Sequence, residues 1–108
     1  LKTKKFTQCP VETTLMLIGN KMESINFSDL ASGTKRFGEL KKTLGNISQK
    51  VLTTQLRDME KKGLIYRTVY AEVPPRVEYT LTETGISLKP ILEAMKTWGE
   101  AYQMKLSQ

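Results

Sequence analysis

Histidine is absent from all 108 residues, and cysteine occurs once, at Cys9. These absences remove most familiar reaction chemistry. A zinc site of the usual ligand types is excluded within one chain. Ser–His and Cys–His nucleophilic arrangements are excluded for the same reason. One cysteine cannot close an internal disulfide, which fits a reducing compartment. Gly33, Gly38, Gly45 and Gly63 are scattered singly, so the sequence holds no glycine-rich phosphate loop. No apolar run approaches the roughly 18–20 residues of a membrane span. The basic opening Leu1-Lys2-Thr3-Lys4-Lys5 leads into no apolar h-region, and no signal peptide is expected. No catalytic residue, metal or cofactor is assigned, and the chain is not read as an enzyme.

What the sequence does have is positive charge in one place. Between Lys35 and Arg76 lie ten Lys and Arg residues but only Glu39, Asp58, Glu60 and Glu72. The difference, +6, equals the formal net charge of the whole chain. A charge excess confined to one structural unit builds a directional potential that attracts a polyanion.

The length suits one domain, over residues 9–108, behind a mobile arm at residues 1–8. Pro10 suits the first position of a helix with Cys9 at its N-cap. Val11, Leu15 and Ile18 form one apolar stripe, and Gly19-Asn20 ends it. Residues 22–31 are a short helix interrupted by Ser24, Asn26 and Ser28, and Ser32-Gly33-Thr34 is a break. Phe37, Leu40 and Leu44 mark another short helix that ends at Gly45. Ile47 is a buried turn residue.

Ser48 then caps a longer helix, and the stretch from about 48 to 62 ends before Gly63. Its apolar stripe is Leu52, Leu56 and Met59. Lys50, Thr54, Arg57 and Lys61 project from the opposite side, flanked by Gln49 and Thr53. Residues 64–70 are rich in β-branched and aromatic types, and 77–81 alternate cleanly. Ala71-Glu-Val-Pro-Pro-Arg76 between them forbids a regular ladder and stiffens a tip, so about 64–82 form a wing. Thr82 caps a C-terminal helix over about 83–106, which Pro90 kinks or divides near 86–89. Leu88, Ile91, Leu92, Met95, Trp98 and Tyr102 run along one face of it.

Helix, turn, helix, hairpin is the order of a winged helix, whose commonest ligand is duplex DNA. The fold class is α+β, mainly α: a winged helix-turn-helix with a two-stranded wing and extra N- and C-terminal helices. Short side chains (Ser48, Gln49, Thr53, Thr54) among long cations (Lys50, Arg57) let a helix approach the major groove closely. Arg36, Arg67 and Arg76 are expected on phosphates or in the minor groove. The bland alternative is a solvated helix face beside a polar hairpin. The C-terminal stripe either caps the monomer core or, with the first helix, forms a homodimer. A dimer sets two recognition helices ~34 Å apart, one DNA turn. Cys9, at a helix N-terminus, is either an inert thiol or a redox-sensitive one helped by Lys4 or Lys5 and opposed by Glu12.

In order along the chain, these motifs resemble the HxlR-type transcriptional regulators, a branch related to the MarR winged-helix proteins. The matches are Cys9-Pro-Val-Glu12, Gly19-Asn-Lys21, Thr34-Lys-Arg-Phe-Gly-Glu-Leu40 and Ile47-Ser-Gln-Lys-Val-Leu-Thr-Thr-Gln-Leu-Arg57. They continue with Gly63-Leu64, Glu72-Val-Pro-Pro-Arg-Val-Glu-Tyr79 and Leu81-Thr-Glu-Thr-Gly85. The stretch Leu88–Gly99 is similar to the family's terminal helix. The resemblance implies cytoplasmic, homodimeric bacterial repressors or activators on palindromic operators. In several such proteins the cysteine matching Cys9 senses oxidants or electrophiles, so an oxidant or small-molecule effector is implied as well. The chain departs from the pattern at Met22, where a Trp is usual, and at Asn26, where an aliphatic residue is usual. Burying an unpartnered amide costs about 1–3 kcal/mol.

The rival to a DNA-binding regulator is a winged helix used only as a protein-interaction module. Such a module has no need to confine +6 to one unit.

Overall fold

The computed structural model describes residues 9–19 and 21–108, and the side chains of all these except 21–24. The arm at 1–8, with Lys4 and Lys5, lies outside the described residues, as do Asn20 and the side chain of Met22.

Among the described residues, six helices and three strands follow one another in the order α1 (Pro10–Ile18), α2 (Lys21–Ala31), β1 (Lys35–Arg36), α3 (Phe37–Leu44), α4 (Gln49–Lys61), β2 (Ile65–Tyr70), β3 (Arg76–Leu81), α5 (Glu83–Ser87) and α6 (Lys89–Leu106). The strands form one antiparallel sheet in the order β1-β3-β2. The wing therefore has a third strand. With only two residues, Lys35 and Arg36, it carries no readable alternation. Register fixes it on β3, with Lys35 opposite Tyr79 and Arg36 opposite Glu78.

The core is built by apolar residues at helical and strand spacing. Leu40 of α3, Leu52, Leu56 and Met59 of α4, and Ile65, Tyr79 and Leu81 of the sheet are buried with Phe27 and Leu30 of α2. Ile47 is buried in the turn between α3 and α4. Asp29 ties the end of α2 to the following elements. It accepts the Thr43 hydroxyl at 2.9 Å and stands 3.9 Å from the Lys35 ammonium.

The interruption in α2 has a cost. Asn26 is 1% exposed, and neither its amide nitrogen nor its amide oxygen has a hydrogen-bond partner.

Polar caps join α4 to the wing and the wing to α5. Thr82 donates to the Gly63 carbonyl at 2.6 Å, and its oxygen accepts the Gly85 N–H at 3.0 Å. A side chain at Gly85 would drive its Cβ into the Leu64 carbonyl, so only glycine allows α5 to lie this close to the start of β2.

The chain past Thr82 forms two helices, divided at Leu88. Pro90 has no N–H to give an upstream carbonyl, and it sits in the first turn of α6, where none is needed. The division splits the apolar face: Leu88 is buried and Leu92 packs on the core, while Ile91, Met95, Trp98 and Tyr102 are exposed. None of the 18 residues of α6 is buried. The stripe of α1 behaves alike, with Ile18 buried but Val11 and Leu15 exposed. No helix of the described residues is long and apolar enough to cross a membrane.

Candidate nucleic-acid interface

α4 is fixed in rotation by its own sequence. The Ser48 hydroxyl oxygen accepts the Val51 N–H at 3.1 Å and starts the helix. Burial of Leu52, Leu56 and Met59 then turns the opposite side outward. Lys50, Thr54, Arg57 and Lys61 are exposed there. Thr54 donates to the Lys50 carbonyl at 2.9 Å, which leaves its oxygen able to accept. Lys50, Arg57 and Lys61 have no ion-pair partner among the described residues.

The sheet brings a second element to the same side. Arg67 stands opposite Tyr79 in register, and Tyr79 is buried against the core. That places Arg67 on the sheet face turned toward α4. A cleft of about 180 Å³ runs between helix and sheet, lined by Gln49, Thr53, Arg57 and Arg67 together with Phe37, Glu60, Val77 and Tyr79. Four of the expected DNA-facing residues thus share one wall-to-wall groove.

Two members of the line-up were not evident from spacing alone. Phe37, at the start of α3, lines the cleft. Glu60 of α4 also lines the cleft and carries the same sign as a phosphate.

Arg36 and Arg76 sit apart from this cleft. They line an adjoining hollow of about 390 Å³, which shares Phe37 and Val77 with the cleft and runs between the start of α3 and the wing tip, Glu72 to Pro75. The Arg36 backbone N–H donates to the Glu39 carboxylate at 2.8 Å, and its guanidinium has no ion-pair partner among the described residues. Arg76, in contrast, is held by Glu72 and Glu78 at 3.0 and 3.1 Å. Cys9 is exposed at the N-cap of α1. Among the described residues no group of His, Cys, Asp and Glu could hold a metal ion.

Helices α2 to α4 followed by a hairpin, with a polar face of α4 exposed beside the sheet, make a winged helix-turn-helix. The profile of the HxlR-like helix-turn-helix family matches residues 17–107, and the chain belongs to that family. The HTH-type transcriptional regulator YdeP of Bacillus subtilis (strain 168) is 48% identical over 103 residues, which cover 95% of this chain and 80% of YdeP. The solved structure of the redox regulator HypR in its reduced form superposes with a TM-score of 0.86 at 46% identity, covering 92% of this chain and 98% of HypR. The reduced form of the transcriptional regulator YodB from B. subtilis superposes with a TM-score of 0.77 at 35% identity, covering 87% of this chain and 93% of YodB. The chain is a transcriptional regulator of the HxlR/MarR type, and its relatives are regulators, not enzymes.

Proposed function

We propose that this regulator acts in the cytoplasm as a homodimer that binds a palindromic operator in duplex DNA. The observation that carries the reading is the shared cleft, where Gln49, Thr53 and Arg57 of α4 meet Arg67 of β2. Lys50, Thr54 and Arg57 reach base edges from the exposed face of α4, with Gln49 and Thr53 beside them. Ser48, Arg36 and Arg67 hold phosphates or the minor groove. Arg76 joins the wing with its charge already matched by two carboxylates. The test is a mobility shift on duplexes recovered from DNA that co-purifies with the protein. Arg57→Ala lowers specific affinity by about 1–3 kcal/mol, and unchanged affinity overturns the assignment of α4.

The exposed apolar residues of α1 and α6 support the dimer. A helix draws most of its stability from packing an apolar face, and α6 presents Ile91, Met95, Trp98 and Tyr102 to solvent. Trp98 and Tyr102 stack nearly parallel, with ring centroids 5.1 Å apart, within that exposed apolar stripe. A second copy covers the stripe, by the same patch on both subunits.

Redox control through Cys9 is the regulatory part of the reading. It is supported by the exposure of Cys9 and by the likeness to a protein named a redox regulator. Oxidation or alkylation of the thiol alters DNA affinity. A protein disulfide formed there is intermolecular, since the chain has no second cysteine.

A further inference from the structure

Arg76 is engaged on three sides. Its Nη2 donates to the Glu72 carboxylate at 3.0 Å and its Nη1 to the Glu78 carboxylate at 3.1 Å. Its guanidinium carbon lies 3.9 Å from the centroid of the Tyr70 ring. The three partners come from three parts of the wing. Tyr70 ends β2, Glu72 lies in the tip, and Glu78 is in β3.

The wing needs such a tie. Tyr70 and Arg76 are the outermost pair of the β2–β3 ladder. Beyond them Pro74 and Pro75 have no N–H to extend it. The Glu72 N–H turns back to the Tyr70 carbonyl at 2.8 Å. A planar guanidinium can fork to two carboxylates while stacking on a ring, which an ammonium cannot do.

Charge sets Arg76 apart from Arg36, which shares its sheet face beside Glu78, and both charge and direction set it apart from Arg67. One cation facing two carboxylates leaves a local excess of one negative charge, a poor invitation to a phosphate. Register places Arg67 beside Tyr79 and Arg76 beside Tyr70, three residues apart on β3, and so on opposite sheet faces.

We infer that Arg76 is a positioning residue of the wing, not a DNA contact. It locks the end of β2, the tip and β3 together, so that Arg67 on β2 meets the duplex in a fixed geometry. The inference rests on the DNA-binding reading. It deepens that reading by separating the arginines that touch DNA from the one that aims Arg67.

The decisive comparison uses Arg76→Gln and the double variant Glu72→Gln/Glu78→Gln, with duplexes recovered by co-purification as probe. Removing two negative charges from a DNA-binding face ordinarily tightens binding. A clamp reverses that sign: the double variant binds roughly fivefold more weakly, the scale of a lost partly exposed charge network. Arg76→Gln weakens binding as much, and Arg76→Lys restores little of it. In the free protein, amide exchange at Val69, Tyr70, Arg76 and Val77 speeds up in both variants. Tighter or unchanged binding by the double variant overturns the inference, and so does parental exchange at those amides in Arg76→Gln. If the parent protein binds no duplex, the DNA-binding reading itself falls, and the amide exchange alone decides the clamp.

Discussion

The ammonium of Lys62, one residue past α4, donates to the main-chain carbonyl of Met16 in α1 at 3.4 Å. The same ammonium pairs with Asp58 of α4 at 2.8 Å. A single side chain therefore joins α4 to α1, the helix whose N-cap is Cys9. Lys62→Met removes the polar head and keeps most of the apolar stem. It is expected to lower stability by about 0.5–1.5 kcal/mol, read by urea denaturation. It is also expected to reduce the change in DNA affinity that diamide treatment causes. A full parental response shows that α1 and α4 are not linked through this contact.

Asn26 gives a stability prediction of the opposite sign. Its amide is buried without a partner. Asn26→Leu removes that desolvation penalty while keeping the branched shape of the side chain. Stability should rise by about 1–3 kcal/mol, read as a higher denaturation midpoint with an unchanged slope. A loss of stability means that the amide is satisfied in the assembled protein.

Helix α4 is legible in the sequence because two independent signals agree on it. Leu52, Leu56 and Met59 recur at helical spacing, and Ser48 and Gly63 punctuate both ends. All three apolar residues are buried, and Ser48 is the cap. The hairpin was legible for a similar reason, with β-branched and aromatic residues before a proline tip and clean alternation after it. Strand β1 was not, because two residues carry no period. Nor could spacing tell which arginines stay unpaired. The state of Arg76 depends on cross-strand register and on a carboxylate across the tip, both of which are tertiary. The α6 stripe was legible as a stripe, but not its division between Leu88 and Leu92 on the core and Ile91, Met95 and Trp98 outside.

That division predicts the oligomeric state. Met95 is 47% and Trp98 68% exposed in the single chain. Charged groups at these positions would be buried unpaired in a dimer, a cost of several kcal/mol. Met95→Glu/Trp98→Glu should elute as a monomer in size-exclusion chromatography with light scattering, with its far-ultraviolet helix signal retained. Operator affinity should fall more than tenfold once the two half-sites are bound independently. A dimer that survives both changes places the interface elsewhere.

Cys9 can be tested without knowing the physiological effector. Cys9→Ser should bind operator DNA like the reduced parent and should not respond to diamide. A parental response from the serine variant removes Cys9 from the mechanism.

The central claim is that cations on α4 and the wing grip DNA phosphates around a base-reading helix. The slope of log affinity against log salt measures those contacts directly. For the parent on its recovered duplex the account predicts a steep negative slope, reduced by about 1 in Arg67→Gln. It further predicts little change of slope in Arg76→Gln, although that variant binds more weakly. A flat salt response in the parent, or a slope that Arg67→Gln leaves untouched, contradicts it.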